Sequence, residues 1–278
     1  MPRLRLAYNT NGLAHHRLAD AIDLVADLGY DGLALTPDVQ HLDPLHATPV
    51  EVAATAQHLH RRGLDVCIQT GGRFVLDPRR KHQPTLLDPD PAQRRRRLLM
   101  LARCLSVGRD LGAKVVAFWS GAAPAGEDAA TLDRRLVEGC IDVADTAKAR
   151  GLVAAFEPEP GMFASTVADW ARLRDAARHP SLRLALDVGH VLCNREGDPA
   201  DAVRRNAADL ADVQIEDMRA GEHLHLPFGE GTLDVAAVVA ALRDTGYAGL
   251  VGVEMSRDSH RGPDVARASI DILRRLDP

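Results

Sequence analysis

Three carboxylates each close a short apolar segment, and they have the clearest potential for chemistry in this sequence. Glu157 follows LVAAF, Asp187 follows LRLAL, and Glu254 follows GLVGV. A carboxylate beside an apolar run is costly to bury without a charged partner. An arginine could be that partner, but three segments repeat the pattern, and three convergent carboxylates need a shared cation. The pattern therefore predicts a divalent metal site, with Mn, Mg, Co and Zn as candidates.

The segment ADVQIEDMR offers further side-chain oxygens. Gln214 and Glu216 are two residues apart, so both side chains point to the same side of an extended strand. A Gln carbonyl can complete an oxygen-rich metal site, although it binds more weakly than a His ring. Asp217 is expected instead to orient the ligands through a hydrogen bond.

Histidines form a second group of candidate residues. His190 lies three residues after Asp187, and His223 and His225 lie in GEHLHLPFGEG, where their spacing points both rings to one side of an extended segment. Such a group can hold a second metal, or it can orient and protonate a substrate. An ordinary polar loop is the alternative. No GxSxG, Walker or HExxH motif is present in the sequence.

Eight short apolar segments, separated by amphipathic helix patterns, must position these residues. The segments are continuous apolar runs, which is typical of strands buried on both faces. Most helix patterns end in a short break with a glycine, where the residue after the helix needs a left-handed backbone. These glycines are Gly29, Gly63, Gly112, Gly151 and Gly246.

Eight alternating strands and helices fit either a closed barrel or an open doubly wound sheet. The open sheet should have a GxGxxG turn after its first strand, and the sequence has none. A closed barrel places its chemical residues at the ends of several strands. The polar residues at predicted strand ends are Asn9, Gln69, Glu157, Asp187, Gln214 and Glu254. We therefore predict one domain, residues 1–278, folded as a (β/α)₈ TIM barrel, with residues 73–91 as a long loop over the active face.

Charge and composition limit the classes of partner that the sequence favours. The formal net charge of -5 argues against nucleic acid as a partner. The basic run at 94–97 begins a helix pattern, so it is expected to be a solvated helix face. No segment approaches the ~20 apolar residues of a membrane span, and the N-terminus lacks a signal-peptide pattern. Four cysteines without regular spacing fit free thiols, so we expect a cytoplasmic protein.

Several of these motifs together resemble one family. The EP after the fifth strand, LDVGH, HLPFGEGTLD and the VE of the last strand resemble the xylose isomerase-like TIM-barrel superfamily. The resemblance implies that Glu157, Asp187, Gln214 and Glu254 hold one metal, as in the sugar epimerases of that superfamily. It also implies that Glu157 and Glu254 are the catalytic acid/base pair. Gln214 stands where that branch has a histidine, which weakens the expected fourth ligand.

The superfamily also contains zinc-dependent apurinic endonucleases. His190, His223 and His225 match the residues that bind one zinc ion in that branch. Gln69 and the Trp119–Ser120 pair stand where the branch has further zinc-binding histidines. A complete three-zinc cluster is therefore not expected, and neither is cleavage of nucleic acid.

The resemblance thus implies a metal-dependent isomerase or epimerase, or a related proton-abstracting lyase, that acts on a sugar, keto-sugar or cyclitol. A di-metal phosphoester hydrolase is the alternative, and a non-catalytic sugar-binding barrel is the third. By analogy with related barrels we expect a small carbohydrate-like substrate and a homo-oligomer. Whether the substrate is phosphorylated stays open, because the basic loop residues could bind a phosphate or carboxylate or be solvated. Those residues are Arg73, Arg79, Arg80, Lys81 and Arg257.

Overall fold

Strands and helices alternate along the chain in the computed structural model, which describes residues 3–277. The strands are β1 (Arg5–Asn9), β2 (Gly32–Leu35), β3 (Asp65–Gln69), β4 (Val115–Phe118), β5 (Val153–Phe156), β6 (Leu182–Asp187), β7 (Leu210–Ile215), β8 (Asp217–Arg219), β9 (Glu222–Leu226) and β10 (Leu250–Val253). The helices are α1 (Leu18–Asp27), α2 (Pro49–Arg62), α3 (Pro91–Leu111), α4 (Ala129–Lys148), α5 (Val167–Ala177), α6 (Val188–Cys193), α7 (Pro199–Asn206), α8 (Val235–Asp244) and α9 (Gly262–Leu276).

Eight of the strands close into a parallel barrel. Their order around it is β1, β10, β7, β6, β5, β4, β3, β2, and β1 pairs with both β10 and β2. The predicted TIM barrel is therefore confirmed. The other two strands, β8 and β9, form an antiparallel hairpin in the connection that follows β7.

Small side chains fill the inside of the barrel. Ala7, Ala34 and Cys67 belong to one buried cluster, and Ala117 and Ala155 belong to another. In each strand these residues alternate with larger ones that pack outward against the helices, as the two-residue period of a strand requires. The inner cross-section is thus narrow below the strand ends, and the buried carboxylate of Asp212 lies in it beside Ala185.

Aromatic packing fixes the strand that precedes Glu157. The rings of Phe118 and Phe156 meet edge-on at 5.6 Å between centroids, and Phe156 stacks on Trp170 of α5 at 6.4 Å. All three side chains are buried. Because Phe156 is locked between β4 and α5, the residue that follows it enters the barrel mouth from a rigid base.

The predicted helix-ending glycines all adopt positive φ angles, from 68° at Gly63 to 87° at Gly112.

The basic run at 94–97 is predicted to be a solvated helix face, and this prediction is wrong at Arg97. This side chain is 2% exposed, and its Cζ lies 4.6 Å from the ring centroid of Trp119. Arg97 shares the buried face of α3 with Met100 and Cys104, three and seven residues further on, and a cation–π contact holds its guanidinium there.

The four cysteines are free and buried, as expected. Among the described helices, none combines the length and apolar character needed to cross a membrane.

Candidate metal and sugar site

A pocket of about 420 Å³ opens at the carboxyl ends of the barrel strands, a size that suits a small metabolite. Polar strand-end residues line it, and the loop between β3 and α3 covers part of it, as predicted. Lining residues at the strand ends include Asn9, Thr36, Gln69, Trp119, Glu157 and Glu254.

Asp187 has two structural roles because it both ends β6 and caps α6. Its Oδ1 accepts hydrogen bonds from the backbone N–H groups of Gly189 at 2.8 Å and His190 at 3.1 Å. This arrangement fixes the carboxylate and leaves Oδ2 with no hydrogen-bond partner, although it is buried. Oδ2 lies 3.5 Å from Nε2 of His190.

His190 is held as a neutral ring by a hydrogen bond at one of its two nitrogens. Its Nδ1 lies 3.2 Å from the carbonyl oxygen of Pro158, and because a carbonyl can only accept, Nδ1 must donate. Burial lowers the pKa of His190 to about 4, so Nε2 keeps a free lone pair at neutral pH. A ring anchored at Nδ1 that keeps a lone pair at Nε2 is typical of a metal-binding histidine.

The hairpin carries the other two histidines to the same place. His223 and His225 both lie on β9, and their ring centroids are 5.3 Å apart. Nε2 of His223 lies 3.0 Å from Nε2 of His190. Nδ1 of His225 lies 3.9 Å from Oε1 of Glu216, which is completely buried. The spacing of the HLH segment therefore does bring both rings to one side.

Carboxylates and histidines form one continuous cluster. Its members fall into three groups in which the possible ligand atoms lie within 4.8 Å of one another. The groups are His190, His223 and His225; Glu157, Asp187 and His190; and Asp187, Glu216 and His225. Within residues 3–277, Glu254 belongs to none of these groups. Its Oε1 instead accepts a hydrogen bond from Nδ2 of Asn11 at 2.8 Å.

Gln214 lies inside the barrel with its amide group fixed. Its Nε2 donates to Oδ2 of Asp212 at 2.9 Å, and Nε2 of Gln69 donates to the same oxygen at 2.9 Å. The Oε1 of Gln214 is buried and has no hydrogen-bond partner. Gln214 is paired in register with Asp187 on one side and with Gly252 on the other, where an added Cβ would clash with the amide.

The crowding of carboxylates shifts their pKa values. Burial, followed by the charges of Glu159 and Glu254, raises the pKa of Glu157 well above its usual value. Burial also raises the pKa of Glu216 strongly and that of Glu254. Burial also tends to raise the pKa of Asp187. The nearby His190 and His225 and the hydrogen bonds that this carboxylate accepts outweigh burial, so the pKa of Asp187 is lowered.

These residues fit a divalent cation. Buried oxygens without hydrogen-bond partners occur on Asp187, Gln214 and Glu216, and each is a suitable ligand for a hard metal ion. A cation would also relieve the repulsion that raises the carboxylate pKa values. The predicted metal ligands Glu157 and Asp187 belong to one of the three groups, whereas Glu254 lines the pocket outside them.

Sequence comparison identifies the fold family. The profile of the xylose isomerase-like TIM barrel family matches residues 22–276. The chain belongs to this family.

Two proteins of known name are similar to this chain in sequence. L-ribulose-5-phosphate 3-epimerase UlaE of Escherichia coli strain K12 is 21% identical over 256 residues, which cover 90% of this chain and 86% of that protein. A 3-dehydroshikimate dehydratase of Pseudomonas putida is 30% identical over 159 residues, 54% of this chain but 25% of that protein.

Solved structures of the same fold also match. D-allulose 3-epimerase from Methylomonas sp., in complex with D-allulose, superposes with a TM-score of 0.79 at 19% identity. The match covers 99% of this chain and 98% of that one. It supports the xylose isomerase-like barrel as the fold.

The structure adds two carboxylates to those expected from the xylose isomerase-like motifs. Glu216 contacts the cluster because it shares the strand phase of Gln214, a signal that the sequence already contained. Glu159 follows Glu157 by two residues, and its oxygens lie 4.0 Å from His190 and 3.8 Å from His223. Burial and Glu254 raise the pKa of Glu159 to about 8.

Asp217 and His82 have roles other than those expected. Asp217 accepts hydrogen bonds from the backbone N–H groups of Gly229 and Leu233, each at 2.8 Å, so it orders the loop after the hairpin.

His82 lies in the predicted loop over the active face and lines the pocket, where its ring centroid is 4.9 Å from that of Trp119.

Proposed function

We propose that this protein is a metal-dependent epimerase or isomerase of a keto-sugar. The observation that carries the proposal is the position of Glu157 and Glu254 in one pocket. They follow β5 and β10, which are separated by two strands in the barrel order, so their carboxylates enter the pocket from different sides. Two carboxylates on either side of a substrate can exchange a proton on both of its faces.

The proposed chemistry begins at the carbon next to a ketone. One of Glu157 and Glu254 removes the proton from one face of this carbon, and the other delivers a proton to the opposite face, which inverts the configuration. Glu157, Asp187, Gln214 and Glu254 would hold the metal, and Mn, Mg, Co or Zn would polarise the ketone when bound. Asn11 holds the Glu254 carboxylate in place through its hydrogen bond.

The relatives support a reaction of this class. UlaE is named an L-ribulose-5-phosphate 3-epimerase, and the Methylomonas structure is a D-allulose 3-epimerase. The Pseudomonas relative is named a dehydratase. Elimination of water beside a ketone also starts with removal of the neighbouring proton, so a lyase would use the same two carboxylates.

Proton exchange with solvent tests the proposal. Protein loaded with Mn²⁺, Mg²⁺, Co²⁺ or Zn²⁺ is incubated in D₂O with D-allulose, L-ribulose and L-ribulose 5-phosphate, and the sugars are followed by NMR. We expect deuterium at the carbon next to the ketone in at least one pair of epimers, and no exchange after treatment with a chelator. Loss of water from the labelled compound would assign a lyase. Absence of exchange from all three sugars with every metal would contradict the proposal.

The three-histidine group favours a second candidate, a di-metal phosphoester hydrolase. Possible ligand atoms of His190, His223 and His225 lie within 4.8 Å of one another, which suits a second ion. Metal analysis after equilibration with Zn²⁺ or Mn²⁺ distinguishes the two functions. We expect about one ion per chain and no hydrolysis of p-nitrophenyl phosphate or bis(p-nitrophenyl) phosphate. Two bound ions together with hydrolysis of either ester would establish the hydrolase instead.

A further inference from the structure

Three cationic side chains line one wall of the candidate pocket. Arg73 and Lys81 come from the loop between β3 and α3, and Arg257 comes from the loop after β10. Two separate loops thus bring positive charge to one part of the pocket.

These three cations have no acidic partner among residues 3–277. Elsewhere in the same loops, Arg80 is paired with Asp77 at 2.7 Å. Neither Arg73, Lys81 nor Arg257 has a carboxylate oxygen within 4.0 Å, whereas other arginines of the described chain have carboxylate partners within that distance, as Arg174 has in Asp209 and Arg274 has in Asp31. The guanidinium of Arg73 donates to the backbone carbonyl of Ser256 at 3.0 Å, which ties the two loops together.

The carboxylate that lines this wall is already engaged. Oδ1 of Asp38 accepts from the backbone N–H of Val39 at 2.7 Å, and Oδ2 accepts from the backbone N–H of Arg73 at 3.3 Å. Asp38 therefore orders the loop backbone and leaves the cationic side chains without compensation.

The positive charges of Arg73, Lys81 and Arg257 shift the pKa values of other side chains in the pocket. With burial as the larger cause, Lys81 and Arg73 contribute to a pKa of about 4 for His82. Lys81 also acts to lower the pKa of Glu159 and Arg257 acts to lower that of His223, and both of these side chains line the same pocket. The three cations therefore belong to the same pocket as the carboxylates and histidines.

We propose that Arg73, Lys81 and Arg257 form a subsite for an anionic substituent of the substrate, a phosphate or a carboxylate. The planar guanidinium groups suit the oxygens of either group, and the ammonium adds a mobile positive charge. The subsite rests on the proposed function only in that the ketone end of the substrate would lie at the carboxylates. The proposed substrate class is a sugar phosphate or a sugar acid, and a neutral sugar lacks the group that this wall binds.

Polyol probes without a ketone test the subsite independently of turnover. Ribitol, ribitol 5-phosphate and ribonate share a five-carbon chain but carry no charge, a phosphate and a carboxylate, respectively. We expect calorimetry on the metal-loaded protein to show at least about ten-fold tighter binding of one anionic probe than of ribitol. The tighter of the two anions identifies the substituent.

Substitutions test whether these three cations bind the anionic probe. Lys81→Met and Arg257→Met should each remove most of the preference for the anion, and the triple variant that also carries Arg73→Met should bind all three probes alike. Arg79→Met is the matched control, because Arg79 is an exposed residue of the same loop that does not line the pocket. Equal binding of all probes by the unmodified protein would overturn the subsite, as would a preference that survives in the triple variant, since the anion would then bind elsewhere. A preference that depends on these cations would stand even if no ketose showed proton exchange.

Discussion

Glu157→Gln and Glu254→Gln should each reduce epimerisation by about 10²–10⁴-fold, the usual contribution of a positioned acid or base. Each variant should also keep a different partial reaction. If the two carboxylates act on opposite faces, each variant retains one base, which can remove and return a proton on its own face. We therefore expect each variant to exchange deuterium into one epimer only, and the two variants to select opposite epimers.

Deuterium incorporation followed by NMR, with both epimers supplied separately, measures this selectivity. Glutamine keeps a carbonyl oxygen at each position, so metal content by elemental analysis should stay close to that of the unmodified protein. Glu159→Gln is the comparison variant, because Glu159 lines the same pocket beside Glu157. A larger loss in this variant than in Glu157→Gln would move the acid/base role to Glu159. Exchange of both epimers by either glutamine variant would rule out the two-base arrangement.

The position of the candidate site follows from local sequence signals. A carboxylate directly after an apolar run must lie at a strand end, and in a parallel barrel those ends share one rim. Glu157, Asp187 and Glu254 could therefore be selected without knowledge of their contacts. The helix-ending glycines were equally predictable, because a positive φ is a property of the residue and its immediate neighbours.

The finer contacts depend on relations between distant segments. Gln214 lies opposite Asp187 through the register of β6 and β7, which shifts between Leu184 and Ala185, and no sequence pattern indicates that irregularity. The space for its amide comes from Gly252 on another strand. The burial of Arg97 could not be predicted from the sequence for the same reason, because its guanidinium packs on the ring of Trp119, which lies in a distant segment.

The register also explains why a glutamine can stand where a histidine was expected. Asp212 accepts the Nε2 hydrogen bond of Gln214, which directs the amide oxygen away from Asp212. That oxygen is left buried without a partner, in the same row as Asp187. Asp212 thus selects the orientation in which Gln214 would offer an oxygen to the proposed metal, although burial raises the pKa of Asp212 itself.

Asp212→Leu should therefore weaken metal binding by about 10–100-fold, the usual effect of removing a residue that orients a ligand. Without this acceptor the Gln214 amide can rotate, and its NH₂ group, which cannot bind a cation, can face the site. Gln214→Ala should cause a loss of similar size. Because both changes act through one ligand, the double variant should lose no more than Gln214→Ala alone.

Equilibrium dialysis with Mn²⁺ gives the dissociation constants of the unmodified protein, Asp212→Leu, Gln214→Ala and the double variant. Circular dichroism of each metal-free variant checks that the barrel is retained. Asp209→Leu is the control, because Asp209 pairs with Arg174 on the outer surface and its loss should leave metal affinity unchanged. Additive losses in the double variant would mean that Asp212 acts on the metal site independently of Gln214. Unchanged affinity in both single variants would leave Glu157, Asp187 and Glu254 as ligands and assign the fourth position to Glu216, whose unpartnered carboxylate lies within 4.8 Å of Asp187 and His225.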